Sequence, residues 1–308
     1  MKSLLAIRHL EAAEITALLE SAKEFKRIIV AGESLPERPK KSVGLLFFEN
    51  STRTRVSFEQ AVSYLGHKSV NFSGSGSSMK KGETLKDTIL TLKHEMLDAV
   101  VMRHASSGAC ALAHHYFEGP VINAGDGRHE HPTQALADAL TIIERKGKIK
   151  GLKVAIIGDV MHSRVARSNA WLLSKLGAEV RFVGPRTLMP SQTSMLPATV
   201  YYDLRPGLAD VDVVMALRLQ HERMDQGLVS VGEFRRLYQI NRSSLRASAP
   251  DAIVMHPGPL NRGVEIDDYT ADGPNSTINE QVTNGIFVRM ATLARAFEDS
   301  KGLAVAKS

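Results

Sequence analysis

Residues 42–48 form a short apolar run bounded by polar residues, and it passes straight into a polar turn and an amphipathic helix. Such a run reads as a buried strand, and a strand that feeds a helix in this way has few folds open to it. Phe58, Ala61, Val62 and Leu65 share one stripe of the helix, and Gly66 stops it. Ser51, Thr52, Arg53, Thr54 and Arg55 stand at the junction. Hydroxyls and free N–H groups at a helix start can grip an oxyanion, and the helix dipole adds to the pull. Arg53 adds a planar fork suited to phosphate. Arg53 and Arg55 lie about 200° apart around a helix, so one is expected to face the ligand and the other to turn into the structure. A capped helix with two solvated arginines is the plain alternative.

The same rhythm continues along the first half. Apolar residues from Leu10 to Ile29 recur at helical spacing, giving a covering helix that Gly32 ends. Runs at 69–72, 98–103 and 121–124 read as strands. Between the first two lies a Gly/Ser stretch ending in Lys80-Lys81-Gly82-Glu83. It lacks the Gly-Lys-Ser/Thr order of a P-loop, so it reads as a mobile loop carrying Lys81 to an anion, or as a loop with a solvated lysine. Arg103 stands at the C-terminal edge of its strand, where ligands of open α/β sheets collect. The 121–124 run leads to Gly125-Asp126-Gly127-Arg128-His129-Glu130-His131-Pro132-Thr133-Gln134. Pro132 suits the first helical position and His131 the cap before it. A His and a Gln at a helix mouth suit a carbonyl oxygen and an amide nitrogen. His129 and His131 have no third clustered ligand, so no metal is expected.

A short polar stretch at 146–150 reads as a domain boundary. A second strand–turn–helix series follows, with strands at 152–158, 179–183, 212–217 and 252–255. Gly-x-Gly-x-x-Gly is absent after the first of them, which argues against a dinucleotide site. Arg164 and Arg218 lie just past strand ends. Such a pair matches a dicarboxylate, one carboxylate to each guanidinium, although two surface arginines would look the same. His256-Pro257-Gly258-Pro259 fixes the backbone closely and offers carbonyls, which suits an N–H group. Residues 264–274 read as a long polar loop and 278–297 as a strong final helix. The expected fold is α/β: two doubly wound parallel-sheet domains, residues 1–148 and 149–277, with the helix 278–300 packed back on the first and the active site in the cleft between them.

Composition removes several alternatives. A chain of 308 residues at 43% hydrophobic and 23% charged is ordinary for a soluble α/β protein. Its apolar runs are too short to span a bilayer, and Arg8, His9, Glu11 and Glu14 interrupt any leader-like segment. Cytoplasm is therefore expected. Cys110 is the one cysteine, which excludes an intrachain disulfide and a multi-cysteine metal site. The net charge is +6, but the basic residues are spread and aromatics are only 6%, so the charge suits anionic small molecules better than nucleic acid.

The Ser51–Arg55 stretch resembles the carbamoyl-phosphate signature of the aspartate and ornithine carbamoyltransferases. Lys80 to Glu83, Val101 to His104, His131 to Gln134, Gly158-Asp159, Arg218 to Gln220 with Glu222-Arg223, and His256 to Pro259 match in family order and spacing. The ornithine enzymes typically carry a His-Cys-Leu-Pro motif where this chain has His-Pro-Gly-Pro, so the likeness favours the aspartate branch. Ornithine carbamoyltransferase or a related enzyme is the runner-up, and a nucleic-acid-binding α/β protein a remote alternative. The resemblance implies transfer of the carbamoyl group of carbamoyl phosphate to the α-amino group of L-aspartate, an early step of pyrimidine (UMP) biosynthesis, with no cofactor. It implies that Ser51, Thr52, Arg53 and Thr54 cradle the phosphate and that Arg103 and His131 polarise the carbonyl. Gln134 and the backbone at Gly258 and Pro259 would take the carbamoyl NH2. Lys81, Arg164, Arg218 and Gln220 would bind aspartate, and Glu49 would pair with Arg164 and Arg223 on domain closure. Ser77 and Lys81 match positions that reach a neighbouring subunit's site, which implies a homotrimer. Regulatory chains or a dihydroorotase-like partner are known in the family, and the Asn261 to Glu265 segment resembles trimers without regulatory chains. Asn50 replaces a proline of some relatives. Val165 replaces a threonine, which removes one minor aspartate contact.

Overall fold

The chain closes on two separate parallel sheets, each carrying one of the two strand–helix series. The computed structural model describes residues 2–73, 82–220 and 229–297. One unit takes the residues up to Leu140 and those from Val282 onward, and the second takes Thr141–Gln281.

In the first unit α1 (Ala12–Val30) precedes β1 (Ser42–Phe47), α2 (Thr52–Tyr64), β2 (Lys68–Ser73), α3 (Leu85–His94), β3 (Ala99–His104), α4 (Ala109–Phe117) and β4 (Val121–Asp126). The strands run parallel in the order β2-β1-β3-β4. Helical crossovers cover a parallel sheet on both faces, which is why these strands read as unbroken apolar runs rather than as alternating ones. In β1 every residue after Ser42 is buried. Leu46, Val100, Met102 and Val121 of the sheet meet Ile89 of α3 and Ala109, Cys110, Ala113 and Phe117 of α4 in one core. The Cys110 thiol is buried there, its Sγ 3.6 Å from the Met102 carbonyl oxygen.

The helix α5 (Pro132–Lys146) leads on to β5 (Lys153–Ile157), α6 (Arg164–Lys175), β6 (Glu179–Val183), β7 (Thr199–Tyr201), α7 (Leu204–Gly207), β8 (Val213–Ala216), α8 (Val231–Tyr238), β9 (Ile253–Met255) and α9 (Asp268–Ala271). The second sheet is also parallel, in the order β7-β6-β5-β8-β9. Its core joins Ala155, Ile157, Val183, Val214, Ala216 and Val254 to Leu208, Val211 and Ile240. The last helix, α10 (Ile278–Ala296), is tied into the first unit. Arg295 bridges Glu14 at 2.7 Å, Lys26 donates to Asn284 Oδ1 at 2.8 Å, and Phe297 beyond the helix meets the His67 ring edge-on. Among the described residues no helix is long and apolar enough to cross a membrane.

Two readings of the sequence change here. The 264–274 segment is not a plain polar loop. Glu265 and Ile266 are buried, Asp267 caps α9 through the Thr270 N–H at 2.8 Å, and four helical residues follow. So short a helix leaves no periodic stripe to read. The strand β7 was also missed, because three residues are too few to show a run.

Gly158 ties this fold to the residues at its edge. It follows β5 with φ at 122°, and a Cβ there would meet the Leu217 carbonyl oxygen at 2.7 Å, one residue before Arg218. Gly158→Ala is expected to cost at least ~1 kcal/mol, because both the backbone conformation and the space exclude a side chain. A lowered urea midpoint checks this, and an unchanged midpoint would contradict it.

Candidate active site

A parallel sheet ends all its strands on the same side, so the loops after β1, β3 and β4 share one edge of the first sheet. The register sets Phe47 beside Arg103 and His104 beside Asp126. Ser51 is the N-cap of α2, with φ at −160°, and its side chain makes no capping hydrogen bond. Thr54 is buried, while Thr52 and Arg53 are exposed. The expectation that one of the paired arginines turns into the structure is corrected. Arg55 is exposed, with Nε 3.9 Å from Glu59 Oε1 on the next turn. Thr54, Ser57, Phe58, Ala61 and Val62 fill the buried stripe and leave an arginine at 55 outside it.

Arg103 is held between strand β4 and the loop after β1. Its Nη1 donates to the Ala124 carbonyl at 3.3 Å, its Nε lies 3.5 Å from Glu49 Oε2, and its own carbonyl accepts from the Phe48 N–H at 3.0 Å. The guanidinium is thereby held at the sheet edge rather than free to swing. Its neighbour His104 accepts the Ser106 N–H on Nδ1, and burial pushes its imidazole below the usual histidine range.

His131 is buried at the mouth of α5, and its carbonyl accepts the Gln134 N–H at 3.0 Å. Gln134 Nε2 donates to Asp138 Oδ1 at 2.8 Å, one turn further on. With an N–H group given to Asp138, the Gln134 amide keeps its oxygen as an acceptor. The loop before His131 is organised by a residue the sequence reading did not select. Asp126 Oδ1 accepts from Asn123 Nδ2 at 2.7 Å and from the Glu130 N–H at 3.3 Å, and Oδ2 accepts the Gly108 N–H at 2.8 Å. His129 Nδ1 stands 3.1 Å from both oxygens, so this ring serves the loop.

The second sheet repeats the device. Asp159 follows β5 and is fully buried. Its Oδ1 takes the His162 N–H at 3.1 Å and lies 2.8 Å from His162 Nδ1, while Oδ2 accepts the Gln220 N–H at 3.2 Å. Gln220 Nε2 in turn donates to the His162 carbonyl at 3.1 Å. The loop that leads to Arg164 is thus stapled to the segment that follows Arg218. Arg164 is the first residue of α6 and is buried, and Arg218 lies two residues past β8, half-buried. Because β5 and β8 are neighbours, the segments that carry the two arginines leave adjacent strand ends.

The 256–259 turn is fixed from inside. Buried His256 accepts the Gly258 N–H on Nδ1 at 2.8 Å, so its proton sits on Nε2, 3.1 Å from Glu265 Oε1. The same carboxylate oxygen accepts the Asn261 N–H at 2.6 Å. Gly258 has φ at 67°, and the Gly258–Pro259 bond is cis. Ser77, Lys81 and Arg223 lie outside the described residues. Among the described residues no three His, Cys, Asp or Glu side chains are grouped to hold a metal ion. The loop-organising carboxylates did leave one signal in the sequence. Gly-Asp stands at the exit of β4 and again just past β5, at Gly125-Asp126 and Gly158-Asp159.

Comparison with known proteins bears on these edges. Residues 2–144 match the model of the aspartate/ornithine carbamoyltransferase carbamoyl-P binding domain, and residues 150–296 match that of the Asp/Orn binding domain. The chain is 52% identical over 296 residues to the aspartate carbamoyltransferase catalytic subunit of Desulforamulus reducens, covering 95% of this chain and 94% of the relative. The corresponding subunit of Rhodospirillum rubrum is also 52% identical, over 95% and 92% of the two chains. Among solved structures, aspartate transcarbamoylase from Trypanosoma cruzi in complex with carbamoyl aspartate and phosphate superposes with a TM-score of 0.87 at 35% identity, over 95% of each chain. Ornithine carbamoyltransferase from Pyrococcus furiosus gives 0.86 at 31% identity, over 95% of this chain and 96% of that one.

The Asp126–His129 pair makes loop stability depend on pH. The hydrogen bond from Asp126 raises His129 above its ordinary 6.5 against the opposing effect of burial. Burial works against Asp126 too, but hydrogen bonds from His129 and Asn123 keep its carboxyl below the ordinary 3.8. A raised imidazole contributes fully below its unfolded value, and the contribution disappears as pH rises through the folded one. A depressed carboxyl contributes above its unfolded value, and the contribution fades as pH falls through the folded one. The pair therefore stabilises most between 3.8 and 6.5. The urea midpoint of His129→Gln should fall further behind the parent at about pH 5.5 than at about pH 8.5. Equal deficits at both would refute the pairing.

Proposed function

The chain belongs to the aspartate/ornithine carbamoyltransferase family, and from that premise we propose that it transfers the carbamoyl group of carbamoyl phosphate to the α-amino group of L-aspartate. The products are N-carbamoyl-L-aspartate and phosphate. The observation that carries the choice of aspartate is the pair Arg164 and Arg218, carried by the segments that leave the adjacent strands β5 and β8 of the second sheet. A dicarboxylate offers one carboxylate to each, whereas the cationic side chain of ornithine has no use for either. The relatives named as aspartate carbamoyltransferases, at 52% identity, support the same choice.

Carbamoyl phosphate lies with its phosphate on the first turn of α2, at Ser51, Thr52, Arg53 and Thr54, where the N–H groups of a helix start and the helix dipole favour an anion. Arg103 and His131 address the carbonyl oxygen. Gln134 Oε1 and the backbone carbonyls of Gly258 and Pro259 accept the carbamoyl NH2. Arg164, Arg218, Gln220 and Lys81 hold aspartate. Its neutral amine attacks the carbamoyl carbon, and Arg103 and His131 stabilise the tetrahedral oxyanion, a kind of contact typically worth about 10²–10³ in kcat. The C–O bond to phosphate then breaks, and the departing phosphate takes the amine proton. No covalent enzyme intermediate forms.

Family order and spacing of the motifs support the wider reading. Ser77 and Lys81 serve a neighbouring copy, which makes the working form a homotrimer, and Glu49 and Arg223 serve domain closure. The first unit is the carbamoyl-phosphate domain and the second the aspartate domain. The reaction is an early step of pyrimidine biosynthesis in the cytoplasm.

Purified protein given carbamoyl phosphate should form the carbamoylated product with L-aspartate and not with L-ornithine, and the reverse preference would sink the reading. Arg218→Ala should raise the KM for aspartate about tenfold or more and leave that for carbamoyl phosphate within about twofold, measured by steady-state kinetics. Mass photometry should find a particle of three chains of 33.7 kDa each; a monomer at working concentration would exclude shared sites.

A further inference from the structure

Ahead of α1 the chain runs alongside β4. The Leu4 N–H donates to the Val121 carbonyl at 3.0 Å, and the Leu4 carbonyl accepts the Asn123 N–H at 2.9 Å. Two buried side chains then grip the next peptides of this strip. Asn123 Nδ2 donates to the Leu5 carbonyl at 2.8 Å and to Asp126 Oδ1 at 2.7 Å. Glu130 Oε2 accepts the Ile7 N–H at 2.7 Å, and its Oε1 accepts the Arg8 N–H at 3.3 Å. Those two N–H groups open the short helical turn Ile7–His9, to which Ala6 gives no side-chain cap. The carboxylate of Glu130 fills that place from 122 or more positions away.

Each of these side chains also sets a residue of the site. Asn123 Oδ1 accepts the Gly125 N–H at 2.7 Å. That N–H shares one planar peptide unit with the Ala124 carbonyl, which accepts from Arg103 Nη1 at 3.3 Å. Fixing the N–H of a planar unit fixes where its carbonyl points, so Asn123 aims the acceptor that holds the Arg103 guanidinium. Glu130 directly precedes His131. Its backbone is paired both ways with Asp126: its N–H donates to Asp126 Oδ1 at 3.3 Å, and its carbonyl accepts the Asp126 N–H at 3.2 Å. With its carboxylate anchored as well, the peptide that leads into His131 is held from both its backbone and its side chain. We propose that Asn123 and Glu130 are positioning residues for Arg103 and His131, and that residues 5–8 are the common template to which both are fastened. The proposal rests on the reading that Arg103 and His131 address the carbamoyl carbonyl. Its physical content is register: two groups that meet one developing oxyanion are set against a single strip of backbone.

Asn123→Ala, Glu130→Ala and the double variant are made in the full chain, with Arg103→Ala as the control for the site and Ile15→Val, in the core under α1, as the control for stability. Each is assayed for kcat, the KM of both substrates and the thermal midpoint. Each single alanine variant should lower kcat and kcat/KM together by about tenfold, the pattern of an interaction made in the transition state. The KM for aspartate should stay within about twofold, because neither residue touches anything assigned to aspartate. The double variant should lose less than the product of the single losses, because both act through one strip. A glycine inserted between Ala6 and Ile7 alters no side chain of the site but shifts Ile7 and Arg8 against Leu5, and it should lower kcat by about tenfold as well. Glu130→Gln keeps one acceptor oxygen and should recover part of the Glu130→Ala loss. If an alanine variant does not fold, Glu130→Gln carries the same prediction at about threefold in kcat. Ile15→Val should lower the thermal midpoint and leave kcat within about twofold. Variants at 123 and 130 that lower only the midpoint, as Ile15→Val does, while Arg103→Ala impairs turnover, would overturn the positioning role and leave the site reading intact. An Arg103→Ala enzyme with unchanged constants would overturn the site reading and this proposal with it.

Discussion

The polarity of a parallel sheet is the constraint on which the rest depends. Every strand of both sheets ends on the same side as its neighbours, and every crossover helix must begin there. Helix starts carry unpaired N–H groups, and those groups need partners. At α2 the Ser51 side chain makes no capping hydrogen bond. At α6 the Ser163 hydroxyl accepts the Ala166 N–H at 3.1 Å, so that helix is capped by its own chain and offers its first residue, Arg164, instead. One architectural rule therefore yields two kinds of helix start, one without a side-chain cap and one capped by its own serine.

What stiffens these edges is carboxylate chemistry turned inward. Asp126 and Asp159 accept several N–H groups each and present nothing to a ligand. A carboxylate accepting multiple N–H bonds holds a loop more firmly than apolar packing can, because its bonds are directional and charge-assisted. Loops at the strand ends carry the reactive side chains, and most of their backbone would otherwise be free to move. The two Gly-Asp turns meet that need in the same way in both units.

Much of this was legible in the sequence. The strands at 42–48 and 179–183 were readable because burial on both faces makes the runs continuous, and the position of Arg103 followed from its strand end. The interior partners were not readable in the same way. Helical spacing allows Gln134 and Asp138 to meet but does not single out that pair, and nothing local marks Arg289 as the partner of Ser57, 232 positions away. Arg55 was misjudged because helical spacing says which residues oppose one another, not which stripe the core will take. Three-residue β7 and four-residue α9 were too short to have a period.

The imidazole at position 256 has a consequence for what else the chain can tolerate there. It works as a two-ended strut: one nitrogen receives from the peptide of Gly258 while the opposite nitrogen gives to Glu265, across the width of a single rigid ring. An asparagine reaches only the near contact and a glutamine only the far one. Phenylalanine or tryptophan would fill the space without accepting at all. The position has no drop-in substitute among the other side chains, and the shape of the turn is as dependent on that ring as on its prolines.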